Sequence, residues 1–269
     1  MRNLLHDSLI RSAGRARGLR AWPLALAMAL APLGAQAVMQ TRPAAKQAEF
    51  GAARASRDTV AVANGVVRSG DNQGAPFIIL DKLDARVFVF DASGRLLASA
   101  PALLGIARGD HTVPGIGDKK LSEIKPEERT TPAGRFVAEF GHSSSRGEDV
   151  VWVDYDAAVS MHRVVTTNPK ERRLQRLATP TAKDNRISYG CVNLPKAFYE
   201  TWVGPTVAQT RTIIYVLPET RPAQQVFPFV QASRTNTAGT GAARGTRPTK
   251  VATLRRAGPL DGPMPVIDP

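Results

Sequence analysis

The sequence predicts a mainly β domain with two packed sheets and few helices. Apolar, β-branched and aromatic residues recur in short runs of strand length, beginning with "FIILDK" (77–82) and "ARVFVFD" (85–91). Such runs are typical of strands. The second run ends in "DASG", a turn pattern in which Gly94 can take a positive φ. Strands joined by turns pair into sheets, and sheets bury their apolar faces against one another.

Further elements follow in chain order. "RLLASAPALLG" (95–105) predicts the return strand after the DASG turn. Four more strands are expected, "GRFVAEF" (134–140), "DVVWVDY" (149–155), "AVSMHRV" (158–164) and "RTIIYVLPE" (211–219). Between the last two, "PKAFYETWVG" (195–204) predicts a short helix, because proline suits the first turn of a helix and glycine its end.

The N-terminus resembles an export signal. Arginines precede an apolar run, "AWPLALAMALAPLG" (21–34). This run is too short, and too interrupted by proline, for a membrane span. "AQA" (35–37) has the small-x-small pattern of a cleavage site. We therefore expect residues 1–37 to be a signal peptide and the mature chain, starting near Val38, to be periplasmic and cell-wall associated. The alternative is an uncleaved membrane anchor.

The segments on either side of the domain differ from it in composition. Residues 38–75 are rich in Ala, Arg, Gln and Gly and predict a linker with at most one short helix or strand. Residues 221–269 are rich in Thr, Ala, Gly, Pro and Arg and predict a disordered basic tail. The domain itself is expected over 76–220.

The chain is strongly basic, with a formal net charge of +13. About +9 remains after the signal peptide, which holds five arginines and one aspartate. A basic exported protein suits a polyanionic partner, such as a cell-wall polymer or an anionic membrane surface. Export and the lack of a nucleic-acid-binding motif argue against nucleic acid as a partner.

Cys191, in "NRISYGCVNLP" (185–195), is the single cysteine of the chain. It cannot form an internal disulfide, so in an oxidising compartment it is either a small buried apolar residue or a nucleophile. A nucleophilic thiol needs a base or a positive field. Gly190 allows close backbone approach, the nearby N–H groups could face an oxyanion, and the helix starting four residues later could stabilise a thiolate.

His162 is the best candidate base. His111 and His142 lie in predicted loops, whereas His162 ends an apolar strand that would hold it rigidly. A lone histidine is also common as a structural residue, so spacing by itself leaves this open. His111 with Asp110 and Asp118 has no metal-ligand spacing, and we expect neither a metal nor another cofactor.

These residues match a known family. "SYGCVNLP" resembles the Ser-His-Gly-Cys-apolar-Asn/Arg signature of the L,D-transpeptidase catalytic domain (the YkuD family). The first hairpin, "TTPAGRF" and "VSMHRV" resemble further landmarks of that family, in the same order. The resemblance covers about Pro76 to Pro218. It implies a β-sandwich with a short helix after the catalytic cysteine.

The resemblance also implies a chemistry. Cys191 would attack the bond after the third residue of a peptidoglycan tetrapeptide stem, release D-Ala and pass the acyl group to an amine. That amine would belong to another stem peptide or to an envelope lipoprotein. His162 would be the general base and acid, oriented by the main-chain carbonyl of Arg163. The remaining implied site residues are the backbone of Gly190 and Cys191 at the oxyanion, and Ser188, Tyr189, Asn193 and Arg186 toward the substrate.

Two departures from the family pattern keep alternatives open. Tyr189 stands where members often have His, and a tyrosine cannot act as a base at neutral pH. His162 and Cys191 are also unusually far apart in sequence, with a basic run at 170–176 between them. That run is either a helical lid that binds stem carboxylates or a solvated surface helix. The alternatives to a transpeptidase are a thiol hydrolase, such as an L,D-carboxypeptidase or peptidoglycan amide hydrolase, and a non-catalytic cell-wall-binding protein.

Overall fold

The computed structural model describes residues 46–144 and 147–230. The expected signal peptide and the expected tail from residue 231 onward lie outside the described residues. Within the described part of the chain, no helix is long and apolar enough to cross a bilayer.

The described residues form ten strands and a few helices, which confirms the mainly β prediction. The strands are β1 (Phe77–Asp81), β2 (Arg86–Phe90), β3 (Leu96–Pro101), β4 (Leu104–Gly105), β5 (Gly134–Ser143), β6 (Glu148–Asp154), β7 (Val159–Arg163), β8 (Arg186–Ser188), β9 (Val192–Leu194) and β10 (Thr212–Val216). The helices are α1 (Arg57–Ser69), α2 (Arg173–Ala178), α3 (Lys196–Phe198), α4 (Gly204–Gln209) and α5 (Ala223–Val226). A π-helical turn, Tyr199–Val203, joins α3 to α4.

Eight strands form one mixed sheet in the order β3-β2-β1-β10-β5-β6-β7-β9. The β1–β10 and β7–β9 pairs are parallel and the other pairs antiparallel. Leu103, just after β3, exchanges two backbone hydrogen bonds with Asn193 of β9 (2.9 and 3.0 Å). The two edges of the sheet therefore meet, and the sheet is nearly closed. The two packed sheets expected from the sequence are therefore opposite sides of this one nearly closed sheet.

The inner face of the sheet encloses the main core. Buried aliphatic side chains from all eight strands pack there, with Phe198, Tyr199 and Val203 of the helical segment after β9. Every second residue of each strand points into this enclosed core. The residues between them on β1 and β10 are buried as well, which explains why these strands are continuous apolar runs in the sequence.

The folded domain extends beyond the expected limits at both ends. The segment expected to be a linker contains α1, which begins at the N-cap Ser56 and ends at Gly70 in a left-handed conformation. Val62, Ala63 and Val66 of α1 pack on the outer face of β1, β2 and β10. The first residues of the expected tail pack there too, with Phe227 and Val230 buried. Both corrections have one cause: the outer face of these three strands is apolar and needs covering.

Candidate active site

Cys191 follows a tight turn between β8 and β9. Gly190 has φ +137°, a conformation that other residues rarely adopt. The hydroxyl of Ser188 fixes the turn, since it donates to the Cys191 carbonyl (2.6 Å) and accepts from the Gly190 N–H (3.1 Å). Ser188 is fully buried, so its hydroxyl shapes the turn from behind and does not face a substrate.

The "TTPAG" segment supports this turn. Thr131 Oγ1 donates to the carbonyl of Gly190 (2.8 Å) and accepts from the N–H of Gly105 (3.0 Å). A Cβ on Gly190 would lie 2.8 Å from the carbonyl oxygen of Thr130. Two motifs that are 59 residues apart therefore meet, and glycine is required where they touch.

The sulfur of Cys191 lies on the outer face of the sheet, packed with Val150 and Trp152 of β6. Ser160 Oγ is 3.7 Å from Sγ and can donate to it. The carbonyl of Ala158 is 3.5 Å away and can accept from the thiol. Cys191 is only 3% exposed. The sulfur thus has a hydroxyl donor for its thiolate form and an acceptor for its thiol form.

His162 is fully buried at the end of β7. Its Nδ1 lies 2.6 Å from the carbonyl oxygen of Arg163, the group that the family resemblance implies as its orienting partner. A carbonyl can only accept, so Nδ1 carries a proton and Nε2 is the basic nitrogen of the neutral ring.

The sheet register brings the imidazole and the thiol to the same face. His162 pairs with Asn193 and Met161 with Val192 in the parallel β7–β9 ladder. Continuing this register places Ser160 beside Cys191, as their 3.7 Å contact shows. His162 and Cys191 therefore lie on adjacent strands, offset by two residues.

Asn193 connects His162 to the basic segment between β7 and β8. Its Nδ2 lies 3.5 Å from His162 Nε2, and its Oδ1 accepts from the guanidinium of Arg173 (2.8 Å). Arg173 is 4% exposed and also pairs with Glu171. Of the two alternatives for 170–176, a lid or a solvated surface helix, the second does not hold for Arg173, which is buried and reaches Asn193 beside His162.

Arg186 does not face a substrate, contrary to expectation. Its guanidinium pairs with the Glu219 carboxylate and donates to the carbonyl of Lys82 (2.9 Å). Lys82 and Asp110 form a buried ion pair at 2.9 Å in the same cluster. An arginine satisfied by a buried carboxylate is a structural group, and this one ties the last strand to the loop after β4.

Two further expectations need correction. The N–H of Gly190 donates to Ser188 Oγ, so it is engaged within the turn and not directed at an oxyanion; the role expected of the Cys191 N–H stays a prediction. The helix after the thiol begins at Lys196, beyond all of β9. An extended strand of three residues spans roughly 10 Å, and the effect of a helix terminus falls off within about one turn. The helix therefore contributes little at the sulfur.

Tyr189, at the position where the resembled signature often has His, packs against a cation. The guanidinium carbon of Arg129 lies 3.7 Å from the centre of the Tyr189 ring. Arg129 is itself held by two hydrogen bonds to the carbonyl of Ile124 (3.2 and 2.9 Å). The long loop between β4 and β5 thus places a positive charge next to the turn that precedes Cys191.

Sequence reasoning missed four residues that shape this site: Ser160, Thr131, Arg129 and Arg173. Ser160 lies two residues before His162, and the period of two in a strand could have placed it on the same face. The other three come from distant segments, and no local pattern indicates their contacts. Among residues 46–144 and 147–230, no group of His, Cys, Asp and Glu side chains could hold a metal ion.

A scan against protein-family models found no match, and a search of curated proteins found none. Solved structures with a similar chain course include the helical cell shape determining protein Pgp2 from Campylobacter jejuni (13% identity, 68% of this chain and 65% of that chain, TM-score 0.36). They also include an L,D-transpeptidase from Mycobacterium smegmatis (16% identity, 52% of this chain and 58% of that chain, TM-score 0.30). A third is an L,D-transpeptidase from Enterococcus faecium (13% identity, 53% of this chain and 50% of that chain, TM-score 0.30). The chain thus covers half to just under two thirds of these structures. Because these TM-scores are all below 0.4, the similarity supports no conclusion about the chemistry of this chain, which depends on its own residues.

Proposed function

We propose that this protein is a periplasmic peptidoglycan L,D-transpeptidase that works through a thioester on Cys191. The observation that carries the proposal is the arrangement of Cys191, Ser160 and His162 on one face of adjacent strands. A thiol with a hydroxyl donor at its sulfur, beside a neutral imidazole of defined tautomer, is suited to nucleophilic acyl transfer.

In the first step, His162 Nε2 takes the thiol proton and the sulfur attacks the carbonyl carbon of the third residue of a tetrapeptide stem. The C–N bond breaks, His162 returns the proton to the leaving amine, and D-Ala departs. In the second step, an acceptor amine attacks the thioester carbonyl and loses a proton to His162. The C–S bond breaks, and His162 passes that proton to the departing Cys191 sulfur, which restores the starting thiol and neutral imidazole. Atoms and protons balance over the two steps, and no cofactor takes part.

The charge of the chain supports a peptidoglycan substrate. Stem peptides carry several carboxylates, and the chain remains strongly basic without its expected signal peptide. Arg129, fixed above Tyr189, supplies a local cation on the same side as the catalytic turn. Acceptors with an amine fit the second step, whether from a stem peptide or from the lysine of an envelope lipoprotein.

A thiol hydrolase is the second candidate, and the observation that favours it is Tyr189. Its ring is covered by Arg129, and a phenol cannot deprotonate an incoming amine at neutral pH. If an acceptor must be activated at that position, water would resolve the thioester instead.

Incubation with tetrapeptide muropeptides, followed by mass spectrometry of the products, tests the proposal. The chain from Val38 onward is compared with its Cys191→Ala variant. Cross-linked dimers with loss of D-Ala, formed only by the chain with the thiol, support the transpeptidase. Tripeptides without dimers support the hydrolase instead. Unchanged substrate with both chains contradicts acyl transfer and favours a wall-binding protein.

A further inference from the structure

We propose that Arg173, in the basic segment between β7 and β8, is a positioning residue that fixes the proton-accepting nitrogen of His162 through Asn193. This inference rests on the proposed function and assigns a role to a segment that the family resemblance leaves without one. Arg173 does not touch the reacting atoms. It acts by deciding which way the Asn193 amide faces.

The first step is the contact between Arg173 and Asn193. A guanidinium has only donors, so the Asn193 atom 2.8 Å from the Arg173 Nη1 must be the carbonyl oxygen. Both side chains are buried, Asn193 completely. Amide orientation is ambiguous for many asparagines, but here the neighbouring cation determines it at 2.8 Å, with a longer contact from the Val165 N–H to the same oxygen (3.5 Å).

The second step follows from the first. With Oδ1 held by Arg173, the other end of the amide is the NH₂ group, which lies 3.5 Å from His162 Nε2. An NH₂ group can only donate, so it favours an Nε2 without a proton. On the far side of the ring, the Arg163 carbonyl favours a proton on Nδ1. Both neighbours thus select the same tautomer, with Nε2 as the base.

Arg173 is itself held in place. Its Nε pairs with the carboxylate of Glu171, so a second of its three nitrogens is fixed besides the Nη1 that contacts Asn193. Arg176 donates to the carbonyl of Glu171 (2.7 Å) and closes the short helical segment. The basic segment between β7 and β8 is therefore built around an inward-facing arginine, and its outer residues are solvated.

Ring-nitrogen spectra of His162 test this inference. Uniformly ¹⁵N-labelled chain from Val38 onward is examined by long-range ¹H–¹⁵N correlation, and His162 is assigned by the signals lost in His162→Gln. The wild type should show a protonated Nδ1 and an unprotonated Nε2. Arg173→Gln should add a population with protonated Nε2, because the Asn193 amide is then held only by the longer contact from the Val165 N–H (3.5 Å) and can turn. Its kcat/KM on muropeptides should fall about 10- to 100-fold, the range for losing a hydrogen bond to a charged group.

A second variant and a matched control sharpen the test. Asn193→Asp is isosteric and keeps the Arg173 partner, but it presents an acceptor to Nε2, so His162 should become protonated there. Lys183→Gln removes one exposed positive charge from the same segment between β7 and β8 and should retain the wild-type spectrum. If Arg173→Gln does not fold, Asn193→Asp decides the question.

A wild-type tautomer in both Arg173→Gln and Asn193→Asp would overturn the inference. The spectra need no substrate, so they separate this inference from the proposed function. If the wild type leaves muropeptides untouched, the proposed function fails while the spectra still decide whether Arg173 sets the tautomer.

Discussion

The hydroxyl oxygen of Ser160 lies 3.7 Å from the sulfur of Cys191. Both residues are buried on the outer face of neighbouring strands, so the hydroxyl proton has the sulfur as a close acceptor. A donor at this position stabilises the thiolate more than the thiol, because the negative sulfur is the stronger acceptor.

Replacing Ser160 with Ala should therefore slow the reaction of Cys191 with iodoacetamide at neutral pH. We expect a fall of about two- to tenfold, equivalent to a hydrogen bond of about 0.5–1.5 kcal/mol. Cys191 is the only cysteine, so the intact mass of the protein reports its alkylation directly. Ser160→Thr keeps the hydroxyl and should react within about twofold of the wild-type rate. Equal rates for all three proteins would contradict a role for Ser160 at the sulfur.

Replacing Gly190 with Ala should destabilise the fold as well as the catalytic turn. The φ of +137° strains an alanine, and its Cβ would lie 2.8 Å from the Thr130 carbonyl oxygen. Together these effects should lower the free energy of unfolding by about 2–4 kcal/mol. Gly74 is the matched control: it has φ +72° and nothing within 4 Å of an added Cβ.

Urea denaturation measures both variants. Gly74→Ala should cost about 1 kcal/mol, the strain of a left-handed residue alone. If Gly190→Ala is as stable as Gly74→Ala, the backbone of Gly190 does not pack tightly against the Thr130 carbonyl.

The longer strands could be predicted from the sequence because their pattern is local. In most of them β-branched and aromatic residues cluster within a few positions, and turn residues mark the ends, as at 77–91. The three-residue strands β8 and β9 were not expected, because such short runs carry no local pattern. Cys191 and His162 could be proposed for a similar reason: a single thiol and a histidine at a strand end are visible without knowledge of the pairing. Their catalytic roles stay predictions.

Other features depend on pairing between distant segments. The linker was expected to hold at most one short helix or strand, but α1 packs as part of the domain. Its buried side chains are few and small, chiefly Val62, Ala63 and Val66, so the composition of the segment does not indicate this packing. Arg186 was misassigned because its partner, Glu219, lies 33 residues away. Arg173 belongs to a basic run, and such runs are usually solvated; only the fold brings it to Asn193.

The ion pair of Lys82 and Asp110 predicts a pH dependence of stability. Burial acts to raise the pKa of Asp110, but hydrogen bonds from Thr220, the Glu219 backbone and Lys82 outweigh it and hold the pKa well below its usual value. A carboxyl whose pKa is lower in the folded state stabilises the protein above its unfolded pKa, about 3.9, and this contribution is lost as the pH falls below it.

The free energy of unfolding of the wild type should therefore decrease steeply below about pH 4. Asp110→Asn should be less stable at pH 7 by about 3 kcal/mol or more, because Lys82 loses its closest charge partner while buried. Its stability should also change less between about pH 4 and pH 2. Urea denaturation measures the free energy of unfolding of both proteins across this pH range. If it falls equally in the two proteins as the pH is lowered, Asp110 is not the source of the pH dependence.

Phe227 tests the corrected C-terminal limit of the domain. It is 1% exposed and stacks edge-on against Tyr215 of β10, with ring centres 5.9 Å apart. Phe227→Ala should lower the free energy of unfolding by about 3–5 kcal/mol. Leu83→Ala removes a side chain that is 52% exposed and should change stability by less than about 0.5 kcal/mol. A Phe227 variant as stable as the Leu83 variant would place residue 227 outside the folded domain.

The central claim is that Cys191 carries the acyl group of a peptidoglycan stem. The most direct measurement is the intact mass of the chain from Val38 onward after rapid mixing with tetrapeptide muropeptide and acid quench. We expect a mass increase equal to the muropeptide less D-Ala, located on Cys191 by peptide mapping and removed by hydroxylamine. Cys191→Ala should show no such adduct, and His162→Gln should form it far more slowly. An adduct that persists in Cys191→Ala, or muropeptide turnover by that variant, would contradict the account.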